Sequence, residues 1–200
     1  SELGWQSIDI QLVNLSVLPE WGQLLVYFIL LDFLQWGTHI VLHRIPVLWE
    51  FHKVHHSVIE MGFAAHLRYH WMENILYKPV KLTALLFIGG VEPEKVYLIH
   101  LFSLLIGHLN HANLNLSWGL LRYVLNSPRM HVWHHAKEWP KSHPNGVNFG
   151  LSLSCWDYLF GTAVNPVNDG EIELGFDGME AVPSELLPQL VHGFRASQSK

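Results

Sequence analysis

The chain has 200 residues, enough for one domain with a sizeable core, and it opens on Ser1 with no Met before Met61, so an upstream segment is expected to be missing. Asp, Glu, Lys and Arg make up 14%, well under the roughly 25% usual in soluble domains, while half of the residues are hydrophobic and nine are Trp. A formal net charge of -5 and the lack of a basic stripe set nucleic acid aside as a partner, and the single Cys155 excludes a disulfide framework and any thiolate-rich metal site. Histidine is the anomaly, with fifteen copies.

After a mixed stretch over 4–18, Pro19 and Glu20 open an apolar run over 21–43 whose only formal charge is Asp32. A run of that length can span a bilayer, which takes about 20 residues. Trp21 fits an interfacial anchor, and Arg44 and Lys53 just beyond the run favour a cytosolic exit. Within the run, His39-x-x-x-His43 puts two imidazoles on one helical face. Asp32 and Trp36 share that stripe, so Asp32 is expected either to orient a ligand or to act as an intramembrane acid. Next comes His52-x-x-His55-His56, whose spacings of three and four converge on one helical face.

His66 reads as a local helix-surface residue, whereas His70, three residues before Glu73, is either a ligand or an outer partner of one. A second apolar region over 79–109 is broken by Gly89-Gly90 and Glu92-Pro93-Glu94 into pieces too short to span comfortably. It predicts a helical hairpin or re-entrant pair, the alternative being a buried hairpin in a soluble bundle. His108 and His111 end it, where two spare imidazoles without partners would be costly. Ser127-Pro128 marks a helix boundary. His131-x-x-His134-His135 then repeats the earlier triad, a turn-rich stretch covers 139–150, and the tail after Thr162 reads as loops with one short helix.

Many neutral imidazoles, few carboxylates and no thiolate cluster suit iron, copper, nickel or zinc and argue against magnesium or calcium. A structural zinc site closes with four ligands, so this many histidines are counted more simply as two metals inside a bundle. Helical di-iron sites commonly use carboxylates, and composition alone would not have predicted an all-histidine version.

These residues resemble the fatty acid hydroxylase superfamily, which includes sterol desaturases, sphingolipid and fatty acid hydroxylases and alkylglycerol monooxygenase. The likeness is carried by His39-x-x-x-His43, by Leu48-Trp49 with His52-x-x-His55-His56-Ser57, and by Pro128 with His131-x-x-His134-His135. It continues through Asn148-Phe149-Gly150 and Trp156-Asp157-x-Leu159-Phe160-Gly161-Thr162. Arg68-Tyr69-His70-Trp71-Met72-Glu73 is similar to an Arg-x-His-Pro-x-Glu element, with Trp71 in place of the proline.

The resemblance implies an all-α fold, a membrane-embedded helical bundle with a cytosolic histidine-rich helical cap, over 1–165, followed by a C-terminal tail over 166–200. It implies two iron ions held by His39, His43, His52, His55, His56, His131, His134 and His135, with His108 and His111 as the intermediate pair. Asp32, His70, Glu73, Asn148 and Asp157 are the expected outer-shell residues. The implied activity is oxygen-dependent hydroxylation or desaturation of an unactivated C–H bond in a lipid. Because the chain has no flavin or nicotinamide fingerprint, electrons are expected from a separate ferredoxin or cytochrome b5 type donor with an NAD(P)H reductase. The rival readings are a membrane metal transporter, which predicts more spanning helices, and a zinc hydrolase, which leaves most of the histidines unexplained.

Overall fold

The computed structural model describes residues 11–165 and 172–194. Its longest element, α1 (Glu20–Arg44), starts behind Pro19, whose extended ψ of 156° sets the chain up for the first turn, and runs without interruption through the whole apolar stretch. Ile45 breaks it in an extended conformation, and Pro46 takes the first position of α2 (Pro46–His56), where its missing N–H costs nothing. The α1–α2 corner therefore places His43 and His52 within a short stretch of chain.

The second apolar region forms two helices, α3 (Met72–Phe87) and α4 (Pro93–His111), each of which packs against α1. The first helix starts at Met72, earlier than the apolar region does, and carries Pro79 in its interior. Between the two helices, Ile88–Gly89 forms a two-residue strand, β2, paired in parallel with β1 (Val13–Asn14), a contact not expected from the sequence. Further on, α5 (Pro128–His134) is capped by Ser127, which accepts from the Met130 N–H, as the Ser-Pro boundary predicts. Two short helices complete the described chain, α6 (Cys155–Phe160) and α7 (Leu186–Gln189).

α1 packs against α2, α3 and α4, and α4 packs against α5. One apolar cluster, Leu15, Tyr27 and Ile99, closes the end of the bundle where α1 begins, and another, Val58, Met61 and Ala65, lies behind α2 and α5. The layer between them is polar. On α1 the buried positions include Gln23, Asp32, His39 and His43, while Leu25, Val26, Ile29 and Val41 are exposed. That is the reverse of a helix on the surface of a water-soluble protein. Exposed Ile75, Leu82 and Leu86 on α3 and Leu98, Leu101 and Leu105 on α4 extend the same apolar surface. Among the described residues α1 is the one helix long and apolar enough to cross a membrane.

Asp32 does not touch a histidine. Its carboxylate accepts from the Ser152 and Leu153 N–H groups, both at 3.2 Å, and from Trp156 Nε1 at 3.0 Å, tying the loop before α6 to the middle of α1. Asp157 makes the matching link one turn along, accepting from Trp36 Nε1 at 3.0 Å, from Thr162 Oγ1 at 2.6 Å and from the Phe149 and Gly150 N–H groups at 2.9 and 2.8 Å. Around these bonds Trp36 and Phe160 rings lie 4.7 Å apart and Phe33 and Trp156 5.0 Å apart, so the Trp-Asp-x-Leu-Phe segment forms an aromatic cap on α1. Asp32→Ala would leave three donors without their acceptor and is expected to lower stability by about 3 kcal/mol. Thermal unfolding in detergent checks this, and an unchanged midpoint would show that the loop is held by other means.

Candidate metal centre

Nine buried histidines converge between the helices. α1 supplies His39 and His43, α2 supplies His52, His55 and His56, the end of α4 supplies His111, and α5 with its following residue supplies His131, His134 and His135. They sort into two groups. In the first, His39, His43, His52, His56 and His134 bring one nitrogen each to within 4.8 Å of all the others; in the second, His55, His111, His131 and His135 do the same.

Helical geometry explains the sorting. Positions i and i+4 lie about 40° apart around a helix, whereas i+3 lies about 60° to the other side of i. Each three-histidine triad therefore lies on one face of its helix, within about 100° of arc, yet is divided between the two groups. On α2, His52 and His56 serve the first group and His55 the second; on α5, His131 and His135 serve the second and His134 the first. The two triads are used in opposite senses, so each helix reaches both groups.

Backbone carbonyls fix the rings. The Nδ1 of His55 is 2.9 Å from the Arg68 carbonyl and that of His111 is 2.7 Å from the Gly107 carbonyl. A carbonyl can only accept, so both Nδ1 atoms carry the proton and both neutral rings present a bare Nε2. These two Nε2 atoms nonetheless face each other at 3.2 Å, and His131 Nε2 lies 3.0 Å from that of His111. The His55 and His111 lone pairs held this close repel unless a cation stands between them, whereas His131, whose Nδ1 has no partner, can carry its proton on Nε2. The first group repeats the arrangement: His39 Nδ1 donates to the Phe149 carbonyl at 2.8 Å and His134 Nδ1 to the Val147 carbonyl at 2.7 Å. His52 Nδ1 meets the Glu73 carboxylate at 3.0 Å, and its Nε2 lies 3.1 Å from His39 Nε2. Both nitrogens of His56 and His135 and the Nε2 atoms of His43 and His134 are buried with no hydrogen-bond partner. Each group can thus hold a metal ion, with carbonyls and one carboxylate setting the tautomers behind it.

The remaining candidates fall outside the two groups. His108 donates from Nδ1 to the Phe63 carbonyl at 2.8 Å and stacks on the Phe63 ring at 4.2 Å. His70 has both nitrogens engaged: Nδ1 accepts from the Met72 N–H at 3.1 Å and Nε2 donates to the Leu190 carbonyl at 2.9 Å. Trp71, standing where the resembling element has proline, donates to the same Leu190 carbonyl at 2.8 Å. Asn148, at a φ of +53°, bonds to Met130 and Val164 and so holds the loop whose Val147 and Phe149 carbonyls orient His134 and His39. His66, read from sequence as a surface residue, instead lies 4.8 Å from the His111 ring, filling the space that Gly107 leaves open; a Cβ at position 107 would fall on the His66 ring. The missing side chain of Gly107 is the one sequence signal for that placement.

Beside the histidines lies a cavity of about 440 Å³ whose wall includes His39, His52, His55, His66, His111 and His131. Two expectations follow from the centre. Glu73→Gln removes the charge that holds His52 and is expected to weaken metal binding about 10- to 100-fold, measurable by chelator competition; an unchanged affinity would exclude Glu73 from the site. Burial pushes the His52 imidazole from an ordinary 6.5 down to about 3, and burial together with the neighbouring His52 does the same for His55. The unfolded chain therefore takes up protons that the folded chain refuses, so stability of the metal-free protein is full above pH 6.5 and is lost as pH falls from there towards about 3. Unfolding midpoints that stay flat across that window would contradict this.

The fatty acid hydroxylase family profile matches residues 24–162. The ornithine lipid hydroxylase OlsE of Rhizobium tropici is 30% identical over 88% of this chain and 51% of its own length. Human alkylglycerol monooxygenase is 30% identical over 68% of this chain and 29% of its own length. A cholesterol 25-hydroxylase-like protein of Danio rerio is 26% identical over 79% of this chain and 62% of its own. The chain thus spans about half the length of the first of these relatives and under a third of the second. No solved structure matches it. With the family's profile extending over all nine grouped histidines and the loop that orients them, the chain belongs to the fatty acid hydroxylase family.

Proposed function

We propose that the chain is a membrane di-iron oxidoreductase that uses O2 to hydroxylate or desaturate an unactivated C–H bond of a lipid. The observation that carries this reading is the division of two His-x-x-His-His triads between two adjacent groups whose inward lone pairs face one another. His39, His43, His52, His56 and His134 are assigned to one iron and His55, His111, His131 and His135 to the other. Iron bound there would supply the redox chemistry that activates oxygen.

The chain's own part is placement. Phe149, Val147, Arg68 and Gly107 carbonyls keep the proton on Nδ1 of four rings, so that Nε2 is always the atom offered to a metal. The nine rings are buried, which limits the access of water to a reactive centre. The cavity beside them is lined by imidazoles, by Leu67, Leu104 and Leu151 and by polar residues that include Gln35, Asn74 and Lys81, and its leucines offer a surface along which an alkyl segment can lie.

The membrane assignment is supported by the inverted pattern of α1, polar inside and apolar outside, continued on α3 and α4. Arg44 and Lys53, beside the histidine end of α1, favour a cytosolic face for the centre. Electrons are assigned to an external ferredoxin or cytochrome b5 type donor with its NAD(P)H reductase. The names of the relatives favour lipid oxidation over metal transport or zinc hydrolysis.

The test is oxygen incorporation. Iron-loaded protein, reduced and exposed to ¹⁸O2 with a membrane lipid extract, is expected to yield lipids carrying one ¹⁸O or lacking two hydrogens, read by mass spectrometry. His55→Ala and His134→Ala are each expected to abolish the product. Product formation that survives both substitutions would refute the assignment of the centre.

A further inference from the structure

We propose that the far end of the 440 Å³ cavity is a binding site for an anionic group, a carboxylate or phosphate carried by the lipid substrate, with Lys81 as its counter-charge. This rests on the lipid-oxidation reading above and names the substrate class within it.

Three helices build the same cavity, and each contributes a histidine-centre residue at one end and a polar residue further along the same face. On α1 these are His39 and, one turn earlier, Gln35; on α4, His111 and, about three turns earlier, His100; on α3, Glu73 behind His52 and, two turns later, Lys81. At 1.5 Å per residue, Lys81 stands about 12 Å along α3 from Glu73. The cavity therefore has two chemically distinct ends: one where imidazole lone pairs converge, and one lined by an ammonium, an amide and an imidazole.

Lys81 is the residue that asks for a ligand. Its ammonium has three donors, and the structure gives it a single hydrogen bond, to Gln35 Oε1 at 2.9 Å, with no carboxylate in ion-pair range among the described residues. Asp32 lines a neighbouring 120 Å³ pocket with Lys81, Gln35 and His100, but its two oxygens are engaged by Ser152, Leu153 and Trp156. Asp32 acts on Lys81 only from beyond ion-pair range, and the Tyr77 ring, 5.9 Å from the ammonium, adds a cation–π contact. A lysine facing the interior of an apolar bundle thus still lacks a directly paired counter-ion, a costly state unless one arrives. A substrate anion at this end satisfies the two free donors and fixes how far along its chain the C–H bond that reaches the metals lies. Site of oxidation is then measured from the charge, not from the methyl end.

The test uses cis-parinaric acid and its methyl ester, fluorescent lipids of one chain length that differ in charge, titrated at neutral pH into the full chain in a neutral detergent. The acid is expected to bind wild type about tenfold or more tighter than the ester. Lys81→Met is expected to erase that preference by weakening the acid alone, and Lys81→Arg to keep it, with metal content unchanged in both variants as the check on folding. Equal affinity of wild type for acid and ester, a preference that survives Lys81→Met, or no binding of either probe overturns the anion site. None of these outcomes bears on ¹⁸O incorporation, which decides the parent reading separately.

Discussion

The structure depends on one constraint: nine imidazoles are buried together, and among the described residues no carbonyl or carboxylate reaches their inward nitrogens. An apolar core relaxes around a misplaced methyl group, whereas a buried nitrogen lone pair without a partner is costly wherever it points. Here the outward nitrogen of most rings is matched to a carbonyl or carboxylate, and the inward nitrogens are left facing each other at 3.0 to 3.2 Å. A proton cannot settle that contact cheaply, because burial holds these imidazoles far below their ordinary pKa. A bound metal can. The bundle's folding and its chemistry are coupled through the same atoms, as in other proteins whose ligand shell is completed only by the ion.

Much of the rest serves to hold that shell. Asp32 and Asp157, one on α1 and one on α6, pin the loop over 147–153 to the bundle, and that loop presents the carbonyls that orient His39 and His134. Arg68 does equivalent work for α2: its guanidinium donates to the Val54 carbonyl and to Ser57 Oγ, and its own carbonyl receives His55. Described residues of the C-terminal stretch close the outer side, with Phe176 against Trp49, itself against His43 and His56, and Phe194 against Phe51. The same bundle turns apolar side chains outward, so the interior is specified by polarity and the exterior by its absence.

The ligand helices were legible because helical spacing is a local property: the His39 and His43 pair, both triads and the Ser127-Pro128 boundary can all be read from neighbouring residues. The partition into two groups could not be read from one triad, since it depends on which way α2 and α5 face each other. The outer supports were half legible. Glu73 behind His52 was visible as a nearby acid, but the carbonyls of Arg68, Gly107, Val147 and Phe149 carry no signature in side-chain identity. Asp32 and Asp157 were recognised as important acids, and their partners proved to be loop N–H groups and indoles, those of Asp32 and the Trp36 indole of Asp157 more than a hundred residues away in sequence. His66 lies nearer the grouped histidines than its sequence context suggests because Gly107 opens space for its ring, while the Phe63 carbonyl engages His108.

The measurement that bears most directly on this account is metal content of the purified protein beside single-ligand variants drawn from each group. The account predicts two irons per chain in the wild type, with His56→Ala and His135→Ala each losing one and leaving the other bound. A single metal in the wild type, or loss of all metal on removing either histidine, would contradict a centre built from two separately ligated ions.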